Sequence, residues 1–241
     1  MVRCLAYLIR VRIAILDLIV IKFWVGVTDN NWYNFLANLK PDEVNFWQPS
    51  GTPPFRRNIE LFLFKLHTPL NYITGGGYFV SYSNLPLSIA WEAFGEKNGT
   101  PSYEEFRNKI IKYRKSRGHN YSIDPEIGCS ILGQPFFFPR EQWIPIPKDW
   151  KPNIVRGKIY NTKNTIGANL YAEVQNKISN LAKKNSDSTL KNSKFSVSEQ
   201  STKYGAKYLT KSRLGQGAFR VLVTDAYKKN VQLRVNERYL L

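Results

Sequence analysis

Residues 22–51 read KFWVGVTDNNWYNFLANLKPDEVNFWQPSG, and this stretch decides the fold class. Residues 23–27 form a short apolar run, which predicts a buried β-strand. One of the polar residues at 28–30 can cap the helix that the following apolar spacing predicts as far as residue 39. Residues 44–47 predict a second strand that ends in a Gln-Pro-Ser-Gly turn. A strand, a helix and a strand in one stretch indicate a mixed α and β domain.

The rest of the chain continues this alternation. Further strands are predicted at 61–66, 78–82, 127–132 and 134–138, and helices at 86–94, 103–115 and 171–184. A Pro-rich edge near residues 143–150 closes the domain, and residues 185–202, rich in Ser, Asn and Lys, read as a flexible linker. The pattern therefore predicts an α+β, barrel-like domain followed by a tail.

The N-terminal residues 1–21 are apolar but carry charges. A membrane-spanning helix needs about 20 mostly apolar residues, and charges within it are costly. No clean apolar run precedes a small-residue cleavage site, as a signal peptide would require. We expect an atypical N-terminal extension that adds a strand or a helix, and no membrane partner.

The net charge of +17 is unevenly distributed. Residues 176–241 contain 14 Lys and Arg against 4 Asp and Glu. A basic tail of this kind fits an anionic polymer, because neutralising phosphates releases counterions. A solvated Lys-rich linker explains the same composition equally well, so charge alone leaves both interpretations open.

Cysteine and histidine are scarce in this chain. Cys4 and Cys129 are far apart in sequence, and the only histidines are His67 and His119. These numbers predict neither a disulfide framework nor a structural zinc site. A reducing cytoplasm is the expected location.

Several long runs resemble a known family. They are FWVGVTDNNWYNFL, EVNFWQPSG, ELFLFKLHTPLNYITGGGYF, LPLSIAWEAFGEKNG, EIGC and QPFFFPREQWIPIP. Together they resemble the amino-terminal domain of a group of HNH restriction endonucleases. Residues 208–230, YLTKSRLGQGAFRVLVTDAYKKN, resemble the segment that leads into the HNH motif of that group. The resemblance divides the chain into the extension 1–21, a reading domain 22–157, a helix and linker 158–203, and an HNH-leading segment 204–241.

The resemblance also implies a fold and a function. The order of elements resembles the PUA superfamily, whose EVE, ASCH and YTH domains wrap a small β-barrel around a nucleobase. In modification-dependent restriction enzymes, such domains accept a flipped, modified cytosine or adenine and license an attached HNH nuclease. We therefore expect modified duplex DNA as the partner, with RNA as an alternative and a homodimer as an open possibility.

The pocket expected from this resemblance draws on aromatic and polar residues near the strand ends. Its predicted base-binding residues are Trp32, Tyr33, Phe46, Trp47, Ser50, Lys65 and His67. Core packing is the competing interpretation for each aromatic residue, and for His67 a hydrogen-bonded position at the barrel rim. Predicted contacts to the nucleic-acid backbone are Arg56, Arg57, Arg213, Gln216 and Arg220. A solvated loop pair is the alternative for Arg56 and Arg57. The basic helix 103–115 fits either a DNA backbone or a solvated charged face.

The catalytic part of the family is not expected in this sequence. In the resembled group, a turn of the type CAITGE and the catalytic histidines come next, whereas residues 231–241 read VQLRVNERYLL. Codons for CAITGERTLLA, read one nucleotide out of register, can give that tail, so we expect a frameshift before the HNH motif. No catalytic residue, metal ligand or other cofactor is predicted here, and a divalent metal such as Mg²⁺ is expected only with an intact HNH domain. A free-standing nucleic-acid-binding module and an inert product are the alternatives.

Overall fold

A computed structural model of the chain describes residues 20–55, 59–116, 118, 122–192 and 215–223. Almost all of the predicted N-terminal extension, and the expected out-of-frame tail from residue 231, lie outside the described residues. The same holds for three predicted backbone contacts, Arg56, Arg57 and Arg213.

Strands of the described residues form one mixed sheet. They are β1 (Lys22–Thr28), β2 (Glu43–Gln48), β3 (Leu61–Leu66), β4 (Tyr72–Pro86), β5 (Glu126–Phe137), β6 (Ile144–Pro145) and β7 (Gly157–Asn161). The strand order is β2-β5-β4-β3-β1-β7, and β6 pairs with β4. β1 and β3 are parallel, and the other pairs are antiparallel. The predicted α+β class is confirmed, and the sheet is open, with β2 and β7 at its ends.

The helices pack against this sheet. They are α1 (Asn30–Leu39), α2 (Leu87–Phe94), α3 (Tyr103–Lys115), α4 (Thr165–Asn192) and α5 (residues 216–223). Asp29 caps α1 by accepting a hydrogen bond from the Trp32 backbone N–H, and Ser102 caps α3 in the same way. The predicted bounds of β3 and α3 agree with the structure, because both segments carry clear apolar periodicity and polar flanks.

Helix α4 and strand β5 differ most from the sequence-based expectation. Helix α4 begins before the predicted residue 171 and continues into the predicted linker as far as Asn192. β5 runs without a break through the two strands predicted at 127–132 and 134–138, and Gln134, with a left-handed φ of 48°, lies where the register with β4 shifts. β7 begins at residue 157, where the predicted reading domain ends, and it pairs with β1 of that domain.

Three apolar clusters form the core. The first cluster lies under α1 and contains Trp24, Trp32, Phe62 and Phe64. The second joins α2, α3 and α5 to β5, and the third lies between α4 and strands β1 and β3. The sheet is therefore covered on both faces, which explains why every residue of β3 is buried.

The sheet curves strongly around the first cluster. β2 and β3 are separated by β5 and β4 in the strand order. At a strand spacing of about 4.8 Å, three steps would separate β2 from β3 by roughly 14 Å in a flat sheet. The rings of Phe46 on β2 and Phe62 on β3 are nevertheless only 4.5 Å apart. The curvature encloses the aromatic cluster and leaves an opening at the carboxyl ends of β1 and β3.

No helix among the described residues has the length and apolar character needed to cross a membrane.

Candidate functional site

A cavity of about 580 Å³ lies where β1, β2 and β3 end, beneath α3. Its lining is a mixture of aromatic, polar and basic side chains. The lining residues are Val27, Asp29, Asn31, Trp32, Phe46, Trp47, Gln48, Pro49, Ser50, His67, Lys109, Lys112, Tyr113, Ser116, Val155 and Arg156. We call this cavity the pocket.

Strand pairing explains why distant residues meet at the pocket. β1 and β3 are parallel, with Thr28 aligned to Leu66, so the residues that follow each strand emerge at the same edge of the sheet. Asp29 and His67 therefore both reach the pocket. A hydrogen bond from the His67 backbone N–H to Oδ1 of Asn30, at 3.2 Å, fixes this arrangement.

The structure brings five predicted pocket residues together. Trp32, Phe46, Trp47, Ser50 and His67 all line the pocket. They come from three separate elements of the sheet and its connections, so sequence proximity alone does not explain their convergence.

Trp32 and Phe46 form an aromatic wall. Their rings meet edge to face at 5.4 Å, and Trp32 contacts Phe64 in the same geometry at 5.3 Å. Trp32 is only 4% exposed, so most of its ring packs in the core. Gly99 adopts a φ of +81°, and a Cβ atom there would overlap the Trp32 ring. Glycine at this position therefore permits the observed position of Trp32.

Trp47 is held in one orientation by its polar edge. Its Nε1 donates a 2.9 Å hydrogen bond to the Asn98 carbonyl. Its ring contacts Phe106 edge to face at 5.6 Å and lies 6.2 Å from the ring of Tyr113. Because the indole N–H is already used, Trp47 offers a ligand its ring surface and not a hydrogen-bond donor.

The turn after β2 forms a fixed polar wall. Three side chains donate to its carbonyl groups: Arg114 to Pro49 at 2.8 Å, Tyr82 to Gly51 at 2.8 Å and Arg156 to Thr52 at 3.1 Å. Burial, the main cause, together with the nearby Cys129 raises the pKa of Tyr82 to about 12, so the phenol stays protonated and able to donate well above neutral pH. Ser50 lies in the middle of this turn and lines the pocket.

Basic side chains surround the mouth of the pocket. Lys109 and Lys112 reach it from α3, and Arg156 reaches it from the residue before β7. The Arg156 guanidinium also donates to Oε1 of Gln48 at 2.8 Å. Among the described residues that line the pocket, Asp29 is the one carboxylate. The pocket therefore combines a positive rim with a hydrogen-bond acceptor inside it.

Two predicted pocket residues lie elsewhere. Tyr33 is buried in the first cluster, and its hydroxyl donates to the Thr74 carbonyl at 3.0 Å. Lys65 is 4% exposed, donates to Oδ1 of Asn71 at 2.7 Å and stacks over Trp150 at 5.4 Å. Burial lowers the pKa of Lys65. Neither side chain lines the pocket.

The predicted backbone contacts Gln216 and Arg220 are on α5 and are exposed. Nη1 of Arg220 donates to the Glu92 carbonyl at 3.4 Å. Ala218 and Val221 on the opposite face of α5 are buried in the second cluster. Neither Gln216 nor Arg220 lines the pocket.

A buried carboxylate fixes the start of α5. Glu43 is 1% exposed and accepts hydrogen bonds from the backbone N–H groups of Gly217 at 2.8 Å and Ala218 at 3.0 Å. It also pairs with Lys97 at 3.1 Å, and Lys97 reaches Asp42 at 2.6 Å. Burial opposes the charged form of Lys97, but its bonds and charge interactions with Asp42 and Glu43 outweigh that effect and raise its pKa.

Sequence reasoning missed part of the lining. Asp29 was expected only as one possible helix cap, and Lys109 and Lys112 only as part of a basic helix. The apolar periodicity of α3 indicated that these lysines lie on the charged face of the helix, opposite its buried face. Val155 and Arg156 had no local signal, since they reach the pocket only when β7 pairs with β1.

Among the described residues, no group of three or more His, Cys, Asp or Glu side chains could hold a metal ion. Comparison with known proteins gives no match to a family model, to a curated protein or to a solved structure.

Proposed function

We propose that this protein reads modified DNA by accepting an extruded base in the pocket, as the DNA-binding part of a modification-dependent HNH restriction endonuclease. The observation that carries the proposal is the composition of the pocket. Aromatic Trp32, Phe46 and Trp47 line the same cavity as polar Ser50 and His67, beneath a rim of basic side chains. Base recognition outside a duplex needs this combination of stacking surface and polar groups.

The size of the pocket is suitable for this task. Small-molecule pockets span about 300 to 1,000 Å³, and this one is about 580 Å³. Stacking on aromatic rings contributes about 1 to 3 kcal/mol per base, while unstacking costs a few kcal/mol. An extruded base is therefore held only if polar groups and phosphate contacts add to the stacking.

Asp29 supports a base with an exocyclic amino group. A carboxylate accepts hydrogen bonds only, and in base recognition it pairs with an amino group such as N4 of cytosine. The amino groups of cytosine and adenine fit this acceptor, whereas the keto group of thymine at the same place would repel it. The carboxylate therefore favours an amino-bearing base over thymine, and the resemblance to modification-dependent restriction enzymes narrows the proposed ligand to modified cytosine or adenine.

The curvature of the sheet supports a PUA-like arrangement within the α+β class. When a sheet closes into a small barrel, strands that are distant in the strand order come together around a side-chain core. The contact between Phe46 and Phe62 provides such an enclosure here. We propose an incompletely closed relative of those barrels, with the pocket at its open end.

Binding to matched oligonucleotides tests the proposed function. Fluorescence anisotropy would compare duplexes carrying cytosine, methylcytosine, hydroxymethylcytosine or methyladenine, and the corresponding RNA, at two salt concentrations. A preference for one modified base that survives higher salt is expected, because base contacts depend less on ionic strength than phosphate contacts do. Equal, steeply salt-dependent binding to every probe would contradict the proposal.

A variant that fills the pocket is the sharpest control. Ser50→Trp places a large ring at the partly buried turn of the pocket and removes no core contact. We expect this variant to lose the preference between bases and to retain salt-dependent binding to DNA. Unchanged preference in the folded variant would place the base-recognition site outside the pocket.

A further inference from the structure

Val155 is an apolar side chain at the mouth of the pocket that is almost fully exposed. At 78% exposure it is the most exposed large hydrophobic residue among those described. Single exposed apolar residues are common on protein surfaces and usually need no explanation. Val155 differs because it lines a pocket and because its position is fixed.

The residue after Val155 fixes that position from two sides. The Arg156 carbonyl accepts a 3.0 Å hydrogen bond from the Val27 backbone N–H. The Arg156 side chain donates to Gln48 at 2.8 Å and to the Thr52 carbonyl at 3.1 Å. The strand pairing between β7 and β1 begins at the next residue, Gly157. Arg156 is therefore anchored through both its backbone and its side chain, and the neighbouring Val155 remains 78% exposed.

Extraction of a base from a duplex leaves a gap in the base stack. Proteins that deform DNA insert apolar side chains between base steps and so offset part of the unstacking cost. A useful wedge must be apolar, exposed before binding and held at a fixed place beside the pocket that receives the base. Val155 meets each of these conditions.

We propose that Val155 is a wedge that enters the duplex stack as the base leaves it, and that Arg156 is the positioning residue for this wedge. The proposal rests on the proposed function and adds a step to it. The wedge acts only when the base must leave a paired stack, so Val155 should contribute much more to duplex binding than to the binding of a base that is already free.

Two probes that share one modified base separate these contributions. The first is the paired duplex and the second is the same strand alone, which has no paired stack to open. Val155→Ser is compared with Ile123→Ser, which changes another apolar residue of 75% exposure that does not line the pocket. Both positions are exposed, so both variants should fold, and thermal melting would verify this.

We expect Val155→Ser to weaken binding to the duplex about tenfold and to weaken single-strand binding much less, because only a contact at the pocket lining is lost when no paired stack has to open. The Ile123 variant should bind both probes with the same affinity as the wild-type protein. In a duplex with 2-aminopurine beside the target base, emission should rise when the protein binds and rise less with Val155→Ser.

Other outcomes overturn the proposal in distinguishable ways. Equal losses of affinity for duplex and single strand would show that Val155 contributes only to the pocket and is not a wedge. The proposed function would then stand. Unchanged binding to both probes would exclude the wedge in a protein that still reads the base. If the wild-type protein does not distinguish the modified base from the unmodified one, the proposed function and the wedge proposal are both wrong.

Discussion

Asp29 combines two roles at the level of a single residue. Its carboxylate accepts a 2.8 Å hydrogen bond from the Trp32 backbone N–H at the start of α1, and it also lines the pocket. The first role requires a side-chain oxygen, whereas the proposed second role requires an acceptor facing the amino group of a base. A substitution that keeps one role and changes the other can separate them.

Asp29→Asn should preserve stability and weaken base recognition. Asn and Asp cap helices about equally well, so the free energy of unfolding should change by no more than about 0.5 kcal/mol. The new amide can present a donor to the pocket, so we expect preference for amino-bearing bases to fall in anisotropy measurements. Asp29→Ala serves as the stability control and should cost about 1 kcal/mol in urea unfolding. Intact preference in Asp29→Asn would exclude the carboxylate from base recognition.

Cys129 gives a pH-dependent prediction. Burial raises the pKa of this thiol to about 12 from an ordinary value of 9.0, even though a hydrogen bond from Asn45 partly opposes the effect. Folding therefore favours the protonated thiol. This contribution to stability is complete below pH 9 and is lost as the pH rises toward 12.

Alkylation measures the same property directly. At pH 8 the folded protein should leave Cys129 unmodified by iodoacetamide, because the thiolate is the reactive form and the side chain is fully buried. The urea-unfolded protein should react at that residue, as mass spectrometry of peptides would detect. Cys4→Ser removes the other thiol of the chain as a control. Rapid modification of Cys129 in the native protein would show that the site opens.

At the level of elements, α5 depends on one carboxylate distant in sequence. Glu43 accepts from Gly217 and Ala218 at the first turn of α5, where backbone N–H groups lack partners within the helix. Residues 216–223 form a helix whose inner face is buried beside α2.

Glu43→Ala should release α5 and destabilise the protein. The change leaves two backbone donors and Lys97 without this partner, which should cost about 2 to 4 kcal/mol. Hydrogen exchange at residues 217–218 should accelerate more than exchange in β3. Asp42→Asn is the matched control, because its carboxylate is exposed and its pair with Lys97 contributes at most about 1 kcal/mol. Equal exchange rates at residues 217–218 in both variants would contradict this account of α5.

At the level of the whole molecule, charge is the dominant feature. The net charge of +17 attracts any polyanion, so affinity for DNA alone says little about the pocket. The salt dependence of binding is more informative, because it counts the phosphates that the protein neutralises. Lys109 and Lys112 lie at the pocket, whereas Lys163 lies beyond the opposite end of β1.

The double variant Lys109→Ala, Lys112→Ala should lower the salt dependence of DNA binding. Each lost phosphate contact reduces the slope of log affinity against log salt by about 0.9, so we expect a decrease of roughly 1 to 2. Lys163→Ala removes one positive charge away from the pocket and should leave the slope nearly unchanged. Equal slopes for all three proteins would show that α3 does not contact the DNA backbone.

The amino-acid sequence by itself determined the α+β class and the positions of most elements, but not the length of α4 or the continuity of β5. The bounds of β3 and α3 and the strand–helix–strand order from residue 22 follow from local patterns, namely apolar periodicity, polar caps and turn residues. Local patterns placed Trp32, Phe46 and Trp47 near predicted strand ends, whereas their predicted role in a pocket came from the resemblance to a known family. Such features depend on neighbours in sequence, which is why sequence patterns can reveal them.

Only the tertiary structure decided what faces the pocket. Tyr33 is adjacent to Trp32, yet on the helix the two side chains diverge, and Tyr33 bonds to Thr74 in the core. Arg156 reaches Gln48 from 108 positions away because β7 pairs with β1. The curvature of the sheet around the aromatic cluster likewise depends on long-range packing. So does the contact between Glu43 and α5. Sequence periodicity states which face of an element is buried, but the pairing of distant elements decides which side chains meet.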